Sequence, residues 1–272
     1  MFRSPVTECF HLYCDHVRRA VRSLLVGAVL LVVGCAADDD TTTSPAPGPT
    51  ATQTSDRTGA RTIPTSEPAS ESVPPRTKKR VRLRGIDASH HQGAIDWQAV
   101  AGDGISFAYL KATEGTTYTD PTFAEHREQA QRQGLQIGGY HYFQLCSSGA
   151  DQAAHFASVL GELDGDDLPP AIDLELAGSC TTPPPRAVLL AEVRMFLEGV
   201  EAATGKEPVV YLYPEFEAQF GFAAELGDHR QWVRSLDGKP DRDWWIWQQT
   251  DSGSVDGVAR PVDVNVRWRV GR

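Results

Sequence analysis

From Val81 onward, short apolar runs of strand length alternate with stretches of helical periodicity, and this alternation limits the fold more than any other feature. Val81 to Asp87, Ile105 to Lys111, Ile137 to Phe143, Ala171 to Leu176 and Val209 to Tyr213 each read as strands bounded by turn residues. Between them, Asp120-Pro121 supplies an N-cap with Pro at the first helical position, and Gly134 supplies the stop. Ala153, Phe156, Ala157 and Leu160 keep helical spacing, and Leu189, Val193, Phe196, Val200 and Ala203 form the stripe of a longer helix ending at Gly205. Trp232-Val233, Trp245 to Gln248 and Val262 to Val266 read as three further short strands. Repeated β–α alternation implies an α/β domain on a parallel sheet, open or closed into a barrel. Gly85-Ile86-Asp87 lacks the spacing of a phosphate-binding turn, which argues against a nucleotide fold.

The first eighty residues have a different character. Arg18, Arg19 and Arg22 precede the apolar run Leu24 to Val33, followed by Gly34-Cys35. A charged region, a short apolar core and a small residue before a cleavage point make a signal peptide, 1–35, whose apolar core is too short to span a bilayer. Val32-Val33-Gly34-Cys35 further resembles the lipobox of bacterial lipoproteins, which implies lipidation of Cys35; a plain secretory signal is the alternative. Residues 36–80 hold ten Thr, seven Pro and five Ser, with Ile63 and Val73 as the sole large aliphatics. Such a segment buries too little apolar surface to offset its ordering entropy, so 36–81 is expected to be a disordered tether. The folded domain is then 82–272.

Charge divides the same way. Residues 1–81 carry 10 basic and 8 acidic side chains, and residues 82–272 carry 16 basic and 28 acidic. A domain with a net charge of −12 is a poor match to nucleic acid, whose binding rests on cations neutralising phosphates.

The acidic residues are placed where chemistry would use them. In parallel α/β folds reactive groups gather at the C-terminal ends of strands. Asp87 closes the first strand, Asp173 and Glu175 close the fourth, and Asp263 lies in the last. Positions i and i+2 of a strand share a face, so Asp173 and Glu175 should share one cavity. Carboxylates crowded together raise at least one pKa and keep a proton available for donation, as glycosidic cleavage requires. Tyr109, Tyr140, Tyr142, Tyr211, Tyr213, Trp245 and Trp247 fall in the same layer, and about half are expected to line a saccharide groove, the rest to pack the core.

Residues 84–268 resemble the family 25 glycoside hydrolases, lysozymes of the Chalaropsis and phage type. The resemblance is carried by GIDASHHQGAIDW at 85–97, FAYLKATEG at 107–115, DPTFAEHREQAQRQGLQIGGYHYF at 120–143 and LPPAIDLE at 168–175. It continues through TGKEPVVYLY at 204–213, WIWQQTDSGSVDGV at 245–258 and VDVN at 262–265. It implies an irregular, TIM-like β/α barrel that acts as an N-acetylmuramidase on the β-1,4 bonds of peptidoglycan. It further implies Glu175 as general acid, Asp173 as its adjacent stabiliser, and Asp87 and Asp263 as the remaining carboxylates of the pocket. Within the matched stretches Tyr109, Lys111, Tyr140, His141, Tyr142, Tyr211, Trp247 and Gln248 are the candidate substrate-binding residues. Two departures, Tyr142 where Phe is usual and Gln249 where Tyr is common, bear on glycan preference.

With Asp173 and Glu175 approaching the sugar from one side, net retention of configuration is expected, the substrate's own 2-acetamido group acting as nucleophile. His90, His91, His141 and His155 lack the local spacing of a metal site, so neither metal nor cofactor is expected. Cys146 and Cys180 fall just beyond strand ends on one face and are expected to pair in an oxidising compartment. The expected partners are peptidoglycan strands and, through Cys35, the cell-envelope membrane, with the enzyme exported and monomeric. A catalytically silent peptidoglycan-binding lipoprotein and a metal-dependent amidase or deacetylase are the competing readings.

Overall fold

The computed structural model describes residues 80–270; the leader, the lipobox at Cys35 and the 36–79 segment lie outside the described residues. Strand β1 (Arg80–Ala88) begins one residue ahead of the expected strand and two ahead of the expected domain boundary. A 3₁₀ turn (His90–Gln92), α1 (Trp97–Gly102), β2 (Ile105–Glu114), the two-residue β3 (Tyr118–Thr119) and α2 (Phe123–Arg132) follow. Then come β4 (Gln136–Tyr142), α3 (Gly149–Leu160), β5 (Ala171–Leu174), α4 (Arg186–Thr204), β6 (Val209–Leu212) and α5 (Pro214–Phe220). The domain closes with β7 (Gln231–Arg234), β8 (Ile246–Gly253) and β9 (Val262–Val270).

Pairing in the order β1-β9-β8-β7-β6-β5-β4-β2, with β1 also paired to β2, closes eight strands into a barrel, and β3 hangs on the edge of β2. The irregularity lies in β9, which runs antiparallel to both β1 and β8, while the other ring contacts are parallel. The expected barrel is therefore the observed one, and its departure from an all-parallel ring has a simple cause. Only the eight residues 254–261 join β8 to β9, without a helix, and a parallel return needs a longer crossover.

Three helix starts differ from the sequence reading, α1 among them, which Asp96 caps without having been read as a start. Asp120 does not cap α2; Thr122 occupies the cap position. The Asp120 carboxylate instead accepts hydrogen bonds from the Thr122 N–H at 2.9 Å and the His90 N–H at 3.0 Å, tying the loop after β1 to that after β3. Helix α5 was not foreseen, although Pro214 at its first turn is a recognisable start signal.

The core divides into two layers. Outside the ring, aliphatic residues of the strands meet the buried stripe of α4, Leu189, Val193, Phe196 and Val200. Inside the ring, Leu83, Phe107, Tyr109, Leu168, Ala171, Val209 and Ile246 fill the barrel. Gly85 and Gly138 make that filling possible: a Cβ at either would lie 2.4 Å from the ring of Phe107 or Tyr109. Large aromatics opposite glycines fit the taper of a small barrel and leave its upper end open.

Candidate active site

The open end is lined by the expected carboxylates. Asp87 and Asp263 face each other as partners of β1 and β9, and Asp173 sits on β5 between Tyr142 of β4 and Tyr211 of β6. Glu175, two residues on, projects into the same cavity, and all four carboxylates line it. Strand alternation explains the grouping: Ile172 and Leu174 point outward to the helices, so Asp173 points in.

The walls hold the acids in defined company. Asn265, two residues beyond Asp263 on the same face, donates to Asp87 Oδ2 at 2.7 Å and accepts from Trp232 Nε1 at 2.9 Å. The Tyr211 hydroxyl donates to Gln248 Oε1 at 3.0 Å. Lys111 Nζ pairs with Glu114 at 2.6 Å and lies 4.8 Å from the centre of the Tyr142 ring. Gln144 Nε2 donates to the other Glu114 oxygen at 2.7 Å, so the lysine is held from below. Asp173 Oδ1 is buried and has no hydrogen-bond partner among the described residues. That oxygen is an acceptor without a donor, an arrangement that costs stability and marks a site made to receive something.

The electrostatics follow from burial and crowding. Burial first, then the charges of Glu175 and Asp87, hold the Asp173 carboxyl well above the usual carboxylate range. Glu175 is pushed up to about 7, chiefly by burial, with Asp263 adding to the rise and Arg234 and Lys111 opposing it. Across the cleft, burial and the neighbouring Asp263 raise Asp87 strongly, while the Asn265 hydrogen bond opposes the rise; burial also raises Asp263. Asp173 and Glu175 each act on the other's titration, so near neutral pH that pair acts as one unit holding a proton. Such a cleft has a proton to give and a negative charge to keep, both at one edge.

Comparison with known proteins decides the family. The family model "Glycosyl hydrolases family 25" matches residues 86–258. The chain belongs to glycosyl hydrolase family 25. YegX of Escherichia coli strain K12 is 36% identical over 193 residues, covering 68% of this chain and 69% of YegX. Lysozyme M1 of Streptomyces globisporus is 33% identical over 196 residues, covering 67% of each chain. The crystal structure of a bacterial lysozyme from Streptomyces coelicolor superposes with a TM-score of 0.60 at 33% identity, over 67% of this chain and 90% of that one.

Of the residues singled out for substrate binding in this family 25 hydrolase, Lys111, Tyr140, Tyr142, Tyr211 and Gln248 line the cleft. Three do not. Tyr109 is fully buried among the barrel-filling residues, its hydroxyl donating to the Pro169 carbonyl at 2.9 Å. His141 lies on the opposite face of β4 from Tyr140 and Tyr142; it is fully buried and meets Thr113 Oγ1 at 2.7 Å and Gln152 Oε1 at 3.1 Å. Trp247 points outward from β8 and donates to the Ser235 carbonyl at 2.8 Å. In each case the residue occupies the wrong layer or the wrong face, which a motif does not register. Of the two remaining aromatics, Tyr213 and Trp245 pack at the margin of the barrel core. Ser89, His91 and Trp232 line the cleft without having been singled out for it. Asn265 was legible through the i, i+2 rule from Asp263; Trp232 carried no signal beyond strand propensity.

Cys146 and Cys180 are joined by a disulfide with a Cα separation of 6.0 Å. It links the segments that follow β4 and β5, directly beside the strand ends carrying Tyr142 and Glu175.

Proposed function

We propose that this chain is an N-acetylmuramidase that hydrolyses the β-1,4 bond between N-acetylmuramic acid and N-acetylglucosamine in peptidoglycan, with Glu175 as general acid. The observation that carries this reading is a single one: Glu175, pushed up to about 7 beside Asp173, in an aromatic-walled cleft at the open end of the barrel. Membership of family 25 and the lysozymes among its relatives support the same substrate. Tyr140, Tyr142, Tyr211 and Trp232 offer faces and edges to sugar rings, and Lys111 and Gln248 offer hydrogen bonds to their substituents.

In this reading Glu175 donates its proton to the glycosidic oxygen as the C1–O bond breaks. Asp173, the carboxylate of the pair while Glu175 holds their one proton, accepts at Oδ1 the N–H of the substrate's 2-acetamido group. The polarised acetamido oxygen then attacks C1 from the face opposite the departing sugar, giving a cyclic oxazolinium-type intermediate. Glu175, now ionised, takes a proton from water, which opens the ring and leaves the configuration retained. Asp87 and Asp263 add negative potential on the far side, where the sugar ring develops positive charge.

Digestion of purified peptidoglycan by dialysed, chelator-treated enzyme should release reducing ends at muramic acid. Reducing N-acetylglucosamine ends, or peptide amines alone, would rule this activity out. NMR of the first-formed product from a soluble fragment should show the β anomer; an initial α anomer means inversion and removes the acetamido group from its role.

The same proposal places the enzyme outside the cytoplasm as a monomer tethered to the cell-envelope membrane through lipidated Cys35. The Cys146–Cys180 disulfide supports an oxidising compartment. Mass analysis of membrane-extracted protein should find Cys35 as the N-terminal, acylated residue. Release of unmodified wild-type protein into the medium would refute the anchor.

A further inference from the structure

The barrel is unevenly clothed. Among the described residues, helices follow β2 through β6, but β7 and β8 run on through loops, so no helix follows these two strands, and the outer face is left open beside the start of β1 and the end of β9. On this bare flank Arg80 and Arg82 of β1, Trp268 of β9 and Trp247 of β8 form the floor of a groove of about 790 Å³, and the β7–β8 loop with Arg242 and Trp244 forms its wall.

The groove is built rather than accidental in three respects. Its tryptophans are held: Trp247 by the bond to Ser235 and an edge-on contact with Trp244 at 5.8 Å, Trp268 by the Arg80 guanidinium 5.3 Å from its ring centre. Arg82 is oriented by donating to Gln249 Oε1 at 2.9 Å. Its four basic side chains outnumber its two acidic ones, on a domain whose residues 82–272 carry a net −12. Trp268, 38% exposed, is a large hydrophobic left in solvent beside those cations.

Tryptophan faces next to arginines suit a ligand with flat C–H surfaces and carboxylates. A recessed groove of this volume suits a polymer strand rather than the flat surface of a bilayer. Arg80 and Trp268 stand at the ends of β1 and β9 opposite to Asp87 and Asp263, about 15–25 Å away along the strands, so the groove is separate from the cleft. We propose that this flank groove grips a second stretch of peptidoglycan, the tryptophans stacking on its sugars and the arginines pairing with the carboxylates of its peptide stems. It rests on the muramidase reading for the polymer's identity. Holding one strand there raises the effective concentration of neighbouring strands at the cleft.

The test measures sedimentation of the full chain with purified sacculi, in a Glu175→Gln background so that nothing is cut. Trp268→Ala and, as a second exposed substitution, Arg82→Glu should each weaken binding about tenfold. Stripping the peptide stems with an amidase should weaken binding of the parent to the same degree. With Glu175 restored, both groove variants should cut a soluble disaccharide-peptide oligomer at the parental rate and whole sacculi more slowly. If the parent cuts the oligomer but groove variants bind sacculi as it does, the groove proposal falls and the muramidase reading stands. Binding that survives stem removal and instead follows phosphodiester wall polymer or anionic vesicles also overturns it. If the parent yields no reducing muramic ends, the failure belongs to the activity itself.

Discussion

Strand β4 carries two buried polar environments back to back, and they are opposites. Outward from it, His141 is enclosed among Phe143, Phe156 and Phe196, with each ring nitrogen paired, and Gln152 spends its remaining capacity on the backbone of Gln144 and Ser147. Burial lowers the His141 pKa to about 3, so the ring is neutral and the network is complete. Inward, beyond Tyr140 and Tyr142, four carboxylates crowd a cleft, one oxygen of Asp173 lacks a partner, and protons are held well above the usual range. The first arrangement makes the fold more stable and does nothing else. The second costs the fold stability and leaves groups ready to act. Satisfied polar burial reads as structure; unsatisfied, crowded burial reads as function.

The largest effect expected from breaking this contrast is on rate. Glu175→Gln keeps the shape and removes the proposed proton donor, which should lower turnover on a soluble fragment on the order of 10²–10⁴-fold. Near-parental turnover in a folded variant would move the general acid elsewhere in the cleft.

Next in size is the clasp that joins the two segments beyond β4 and β5. With Cys146 and Cys180 separated by 34 positions in the chain, replacing both with Ser should cost about 3–4 kcal/mol on the chain-entropy model. Denaturant titration measures it, and a loss below about 1 kcal/mol would show that these segments are held by packing alone.

The outward network should behave as structure. His141→Ala orphans Thr113 and Gln152 and opens a void, which should destabilise by about 2–4 kcal/mol while kcat per folded molecule stays parental. A variant of parental stability and reduced rate would place His141 in the chemistry after all.

The smallest and most discriminating effects lie in the pH dependence of stability, where the two regions have opposite signs. Glu175 is raised to about 7 in the folded state, so between about pH 4 and 7 the folded protein binds more protons than the unfolded, and stability falls as pH rises through that window. His141 is lowered to about 3, so the unfolded protein binds more protons below its own pKa of about 6.5, and stability falls as pH drops. Glu175→Gln should therefore stabilise on the order of 1–3 kcal/mol at pH 8 and not at all near pH 4. Thermal melts across that range check it, and a uniform shift would deny that the pKa of Glu175 is raised by folding. The rate should show the companion effect, kcat/KM falling about tenfold per pH unit above about 7.

Much of this was legible in the sequence. Strand length, turn residues and the stripe of α4 gave an α/β alternation, and the period-two rule put Asp173 with Glu175 and Asp87 at matching strand ends. Those inferences held because hydrophobic periodicity is a local property of the chain. Tyr109, His141 and Trp247 show where it stopped. Each lies in a motif beside cleft residues, yet one fills the barrel, one faces the helices and one lines the bare flank.

The sequence by itself determined which residue types stand at the strand ends, hence the presence of a carboxylate cluster and the family's chemistry. Only the tertiary structure decided which face each neighbour presents, how deeply the acids are buried and which oxygen of Asp173 goes without a donor. Barrel closure sets those quantities, through the antiparallel β9 and the glycines that admit Phe107 and Tyr109. Burial and pKa depend on atoms brought together from distant points of the chain, and no local pattern encodes them.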